Sequence, residues 1–369
     1  MLSSVFFLPQ KTQAQPASNR WAGVGIETNF MGGKIFKHTP KITGPIPAFS
    51  SIYEVNVFQK TTGRQPWQLH RHYPTIGVAL ALTDFGLDSV YGKAFSIYPN
   101  LEIPIFRRQK IEWTLRAGFG FCYATRPYKR YPTWDTFNNA IGSGLNNYTL
   151  FSTDLRYKIN GHWQAQLGFN FSHMSNAAMR LPNYGLNVYG AHVGVRYFPV
   201  SSEIEKIKKT APVLKNRWLI QFRYGMAINE ISVPDGPLYL TYILSGYVSK
   251  RYAGKNKIFA GLDYSYHKGI EAFQKNNELN VGHEKAHSWK SAVFVGNEFL
   301  IGRAGILLQV GVYIREAALK LDPYYQKLGL NYYLVQKEEG PLKELAISVL
   351  LKTHKAQAEL AEFGIGVGF

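Results

Sequence analysis

The 369-residue chain contains a single cysteine. One thiol excludes an intramolecular disulfide framework and any multi-cysteine metal site. Cys122 falls inside an alternating apolar segment and reads as a small packing residue. Acidic residues are also few, 24 Asp plus Glu against 42 Lys plus Arg, for a formal charge of +18. The basic residues are dispersed and carry no recognition motif, so nucleic acid is not the expected partner; solvated loops, or an anionic surface, suit them better. No apolar run reaches the roughly 18 uncharged residues that a membrane-crossing helix needs. Helical periodicity is scarce throughout. No phosphate loop, zinc-ligand spacing or glycosidase carboxylate pair stands out, and no metal or cofactor is expected.

What is abundant is aromatic side chains (15%), glycine (34) and alternation with period two. In the segment 111–123, Ile111, Trp113, Leu115, Phe119, Phe121 and Tyr123 alternate with Glu112, Thr114, Arg116, Gly118, Gly120 and Cys122. One face is oily and the other polar or tiny. The pattern recurs from Trp163 to Phe171, Trp218 to Met226, Ile258 to Tyr266 and Ile306 to Ile314. A β-strand puts successive side chains on opposite faces, so these are strands with an aromatic outer wall and a polar inner one. That is the inverse of a soluble sandwich and the signature of an antiparallel transmembrane β-barrel. A soluble secreted β-protein shares the composition and is the weaker reading.

Strands are expected near 21–30, 50–60, 75–84, 90–106, 111–124, 147–159, 163–175 and 186–198. A second set is expected near 217–228, 238–249, 257–268, 289–300, 305–315, 328–336, 344–353 and 358–369. Short connections (Asn160–His162, Gly302–Arg303) alternate with long ones (Met31–Ala48, Arg126–Asn146, Gly269–Ser288), as short inner turns and long outer loops of a barrel would. The last strand puts Phe363, Ile365, Val367 and Phe369 on one face, like the aromatic terminal strand that marks barrels for outer-membrane assembly. Residues 199–215 are charged and break the alternation, splitting the chain into 15–198 and 216–369. The pattern favours one closed barrel of about 14–16 strands over two eight-stranded halves. Residues 1–14 read as a possible signal-peptide remnant, with Thr12 and Ala14 as the small residues before a cleavage. The short apolar part and absent basic start suggest a truncated or misassigned start.

The chemically informative stretch runs from Phe171-Ser-His173-Met-Ser175-Asn176-Ala177 to Pro182-Asn183-Tyr-Gly185-Leu-Asn187. Continuing the phase of Trp163 and Phe169 puts His173 and Ser175 on the lipid-facing wall, two residues apart and pointing the same way. A histidine so placed can act as general base for a serine hydroxyl. The phase of Tyr189, Val193 and Val195 puts Asn187 on the same wall of the next strand, beside His173 if the two strands pair. Pro182-Asn183-Tyr184-Gly185 is turn chemistry. His267 and Asp263 share a lumen face and read as part of an internal polar network. His354, in Lys352-Thr-His354-Lys-Ala356, is a partial echo of the His-x-Ser pattern, turned to the lumen and without the serine.

His-x-Ser-Asn-Ala followed by Pro-Asn-x-Gly resembles the lipid A 3-O-deacylase (PagL) family, also called acyloxyacyl hydrolases. The resemblance is specific over about residues 163–198 and makes 15–198 a deacylase-like half. It implies an outer-membrane barrel that removes an ester-linked 3-hydroxyacyl chain from lipopolysaccharide without a metal. It also implies Ser175 as nucleophile, His173 as base, and Asn176 and Asn183 in or beside an oxyanion site. The family's acidic triad member falls on Asn187, an amide that can orient a histidine but cannot stabilise its cation by charge. A slow or inactive enzyme, or a non-catalytic barrel that acts as a pore, a lipopolysaccharide-binding scaffold or an assembly partner, is the alternative.

Overall fold

The computed structural model describes residues 21–133, 137–207, 217–318, 322–355 and 357–369. The proposed leader, Ala356 and half of the charged connector lie outside them. The first half forms β1 (Val24–Ile35), β2 (Ser50–Lys60), β3 (Thr75–Asp84), β4 (Lys93–Arg107), β5 (Ile111–Ala124), β6 (Leu145–Lys158), β7 (Trp163–Ser175) and β8 (Leu186–Tyr197). The second half forms β9 (Trp218–Asn229), β10 (Tyr239–Tyr252), β11 (Asn256–His267), β12 (Trp289–Ile301), β13 (Ala304–Glu316), β14 (Tyr324–Gln336), β15 (Glu344–His354) and β16 (Gln357–Gly368). Among the described residues, the short helices α1 (Pro66–His70), α2 (Lys268–Asn276) and α3 (Glu284–His287) sit in connections.

The expected single large barrel is corrected by the strand pairing. Strand β8 pairs antiparallel with β1 (Phe30 opposite Val193), and β16 pairs with β9 (Ile365 opposite Tyr224). Each set of eight therefore closes on itself, giving two barrels in series. Alternation encodes which face of a strand is oily but not which distant strand it meets, so closure was not readable from it. Eight strands leave an interior just wide enough for side chains to fill, and both lumens are filled in that way. In the first, Arg116 binds Glu27 (3.0 Å) and Glu54 (2.8 Å), Arg156 binds Glu102 (2.9 Å), and His192 meets Asp154 (2.9 Å). In the second, Arg223 binds Glu362 (3.2 Å) and Lys257 binds Glu298 and Glu344 (3.0 Å each). These charges are almost wholly out of solvent, and a buried charge must be paired and hydrogen-bonded to be tolerated. Cavities between the second lumen's side chains hold about 10 Å³, no more than a single water. Among the described residues, neither lumen is an open pore.

The outer walls carry the oily faces. Leu115, Phe121, Leu167 and Phe169 on the first barrel are exposed, as are Ile220, Leu262, Val295 and Ile365 on the second. The inward partners Thr114, Arg116, Gln164 and Gln166 are buried. Cys122 is a buried lumen residue whose thiol donates to the Asn147 carbonyl (3.4 Å). The first lumen is layered: below the loops that follow β1, β3, β5 and β7 lies an apolar plug including Met31, Tyr98, Tyr148, Leu150, Met174 and Val188. The ion network lies beyond it, so the loop-bearing rim of this barrel rests on a packed floor.

Candidate active site

Three adjacent strands carry polar residues at the loop end of the outward face. Register sets Asn147 of β6 opposite Ser175 of β7, and His173 between Thr149 of β6 and Asn187 of β8. All of these share the parity of the exposed Phe151, Phe169 and Tyr189. The site is thus the polar end of an oily stripe, where a barrel wall passes from acyl chains to head groups.

Hydrogen bonds run through the strip as a chain. Ser175 Oγ donates to His173 Nε2 (2.9 Å), and His173 Nδ1 donates to Asn187 Oδ1 (2.6 Å). An amide oxygen only accepts, so the proton on His173 sits at Nδ1 and the lone pair at Nε2 faces the serine. Asn187 Nδ2 in turn donates to His38 Nδ1 (2.8 Å). His38 comes from the β1–β2 connection, brought over by the Phe36 N–H, which donates to the Asn187 carbonyl (2.8 Å). The two imidazoles grip opposite ends of one carboxamide and so fix which end faces which. Asn147 Oδ1 receives the Ser175 N–H (3.2 Å) and lies 3.3 Å from Ser175 Oγ.

Although Ser175 and Asn187 point away from the lumen, they are only 4% and 6% exposed. The cover is the β7–β8 connection. Ala177 and Ala178 take left-handed φ of 54° and 61°, costing roughly 1–2 kcal/mol each for residues bearing a Cβ. The Asn176 side chain offsets this by holding both backbone groups of Arg180, accepting from its N–H (3.3 Å) and donating to its carbonyl (3.0 Å). Its Nδ2 also donates to Ser143 Oγ (2.9 Å). The loop re-enters β8 at Gly185, with φ of +79°, where a Cβ would lie 2.7 Å from His173 Cε1. Only glycine lets the backbone pass so close over the imidazole.

The five residues expected at the site are therefore together. The two asparagines differ, however. Asn176, expected in or beside the oxyanion site, has its carboxamide engaged in bracing the loop. Asn183 accepts the Asn176 N–H through Oδ1 (3.0 Å), while its Nδ2 is buried with no hydrogen-bond partner among the described residues. The site thus keeps one buried donor with no partner, on the residue bonded to the serine's neighbour. Sequence reasoning missed Asn147 and His38. Asn147 begins an outward polar run on β6 and needed only the register to reveal it; His38 has no sequence signal, because a long loop delivers it.

Residues 52–196 match the family model described as lipid A 3-O-deacylase (PagL), and residues 216–369 match that of the acyloxyacyl hydrolase C-terminal domain. No curated protein matches the sequence. Among solved structures, the outer membrane enzyme PagL matches at 17% identity, over 46% of this chain and 97% of its own, with a TM-score of 0.33. A variant of the Rhodopseudomonas blastica porin matches at 10% identity, over 94% of this chain and 99% of its own, with a TM-score of 0.19. The two matched models carry one family's name and between them take in most of the sequence, so the chain belongs to the lipid A 3-O-deacylase (PagL) family of outer-membrane β-barrel hydrolases.

Proposed function

We propose that the first barrel is a serine esterase that removes an ester-linked 3-hydroxyacyl chain from lipid A in the outer leaflet. The observation that carries this reading is the unbroken hydrogen-bond chain Ser175–His173–Asn187 on the lipid-facing wall. Ser175 Oγ attacks the ester carbonyl carbon while His173 Nε2 takes its proton. The carbonyl oxygen becomes an oxyanion, and Asn183 Nδ2 is the donor free to receive it. The tetrahedral intermediate collapses, breaking the acyl–oxygen bond, and His173 returns the proton to the departing sugar hydroxyl. Water then repeats the sequence on the acyl-serine and releases the 3-hydroxy fatty acid.

Asn187 stands where the family has an acid. It holds the Nδ1–H tautomer of His173 but adds no negative charge to stabilise the imidazolium. In serine proteases, acid-to-amide replacement at the equivalent position of the triad costs about 10⁴ in turnover. His38 supports a partial remedy, because it leaves the Asn187 oxygen aimed at His173. The proposal is a working but slow deacylase. Lipid A mass spectrometry from cells expressing the wild-type chain or Ser175→Ala tests it. Loss of one hydroxyacyl mass with wild type alone is expected. Unchanged lipid A in both, with the protein folded in the outer membrane, would favour a barrel that keeps the geometry without the reaction, the role that Asn187 makes the second reading.

A further inference from the structure

The first barrel contains the whole Ser–His–Asn chain, yet one residue of the second barrel reaches the loop that covers it. Glu230 directly follows β9, and its side chain is fully buried. Its carboxylate accepts from Arg180 Nη1 (2.6 Å), from Arg130 Nη1 (3.0 Å) and from the Leu181 N–H (2.6 Å). Its own N–H donates to the Met179 carbonyl (3.2 Å). Three consecutive residues of the covering loop are thus bonded to one residue of the other barrel. Arg130, from the β5–β6 connection, also donates to the carbonyls of Gly142 (3.1 Å) and Leu181 (3.0 Å).

The tie continues to the reacting end of the site. Arg180 is bonded through both backbone groups to the Asn176 side chain, and the Asn176 N–H is bonded to Asn183 Oδ1. Asn176 follows Ser175 directly. From Glu230 to the unpaired Asn183 Nδ2 there are three links, Arg180–Leu181, Asn176 and Asn183. A carboxylate without solvent must keep its cationic and N–H partners, so this anchor resists movement more than a surface ion pair would. The covering loop also holds two left-handed alanines, a conformation that persists only where the surroundings over-determine it.

We propose that Glu230 is a positioning residue for the first barrel's site, through which the second barrel holds the loop that sets Asn176 and Asn183. The inference rests on the esterase reading. It gives the second barrel a part in the reaction without any chemistry of its own. A second inter-barrel contact supplies the control. At the opposite rim, Arg71 Nη2 donates to the Lys255 carbonyl (2.7 Å), the Leu300 carbonyl (3.2 Å) and Asn256 Oδ1 (3.0 Å), far in sequence from the covering loop. Losing Arg71 loosens the barrels' association and leaves the loop's own bonds in place.

The experiment compares wild type, Glu230→Ala, Glu230→Gln and Arg71→Ala, purified as full chains in detergent and checked for barrel folding by heat-modifiable mobility. Turnover on lipid A micelles is measured beside hydrogen exchange of the amides of residues 176–183. Misplacing a catalytic group by about 1 Å costs up to about a hundredfold. The expected result is a roughly ten- to hundredfold lower kcat for Glu230→Ala with KM changed less than about threefold. Faster exchange in residues 176–183 should accompany it, with neither change in Arg71→Ala. Glu230→Gln keeps an acceptor for the Leu181 N–H and loses the charge, so it falls between; it carries the test if Glu230→Ala does not fold. Wild-type kcat and exchange in both Glu230 variants would overturn the proposal. Equal losses in Arg71→Ala would also overturn it, showing general docking of the barrels instead. If wild type itself is inactive while exchange still rises in Glu230→Ala, the esterase reading fails and the clamp on the loop stands.

Discussion

Each barrel carries a serine and a histidine two residues apart at the loop end of a strand, and the two pairs lie on opposite faces of their barrel walls. In the first barrel, His173 and Ser175 follow the outward parity of Leu167 and Phe169. In the second, Ser265 Oγ and His267 Nε2 lie 3.0 Å apart on β11, but on the inward parity of the buried Asp263. His267 meets Thr241 Oγ1 (3.4 Å) at Nδ1, and Ser265 and His267 are 7% and 4% exposed. Both pairs have hydrogen-bond geometry. They differ by which face of the pleat they occupy, and by the strip of partners across neighbouring strands. Parity, more than the pair itself, separates the candidate site from lumen packing.

The largest expected effect removes the base. His173→Ala should lower turnover about 10³-fold, measured as hydroxy fatty acid release, with the barrel still heat-modifiable. Activity that survives within about tenfold would remove His173 from the chemistry. Next, Asn183→Ala deletes the unpaired donor and should cost about 10²-fold in kcat with little change in KM. The same cost from Asn176→Ala would show that bracing the loop matters as much as donating. Asn187→Glu sharpens the comparison in the other direction, because it restores charge beside His173. Its kcat should rise about tenfold or more, and additional loss of His38 should then matter less than it does beside Asn187. A fall in kcat would mean that the amide is fitted to its two imidazoles and no acid is wanted. The smallest effect belongs to the second barrel: Ser265→Ala should leave deacylation unchanged and lower stability by about 1 kcal/mol, read from the denaturation midpoint.

Much of this was legible because alternation is a local signal. The sixteen expected strands all appear, and the parity of Trp163 and Phe169 is enough to put His173, Ser175 and Asn187 on one wall. What stayed hidden depends on contacts between distant residues. The meeting of β8 with β1 decides two barrels against one, yet Val193 and Phe30 are oily positions like many others. Asn147 becomes part of the site only through its register with Ser175. His38 and Glu230 arrive on connections, where neither period two nor composition says what a side chain will touch. The connection after β11, expected as a loop, folds into α2 and α3, where the buried Gln274 donates to the Glu284 carbonyl and Ser288 Oγ.

The central claim is that Ser175 is the activated serine and Ser265 is not. A long-chain alkyl fluorophosphonate, which forms a stable ester with an activated serine, tests it most directly when the labelled full-length protein is digested and mapped by mass spectrometry. The account predicts one adduct, on Ser175, and its loss in His173→Ala. An adduct on Ser265, or none on Ser175 in a folded barrel, would contradict it.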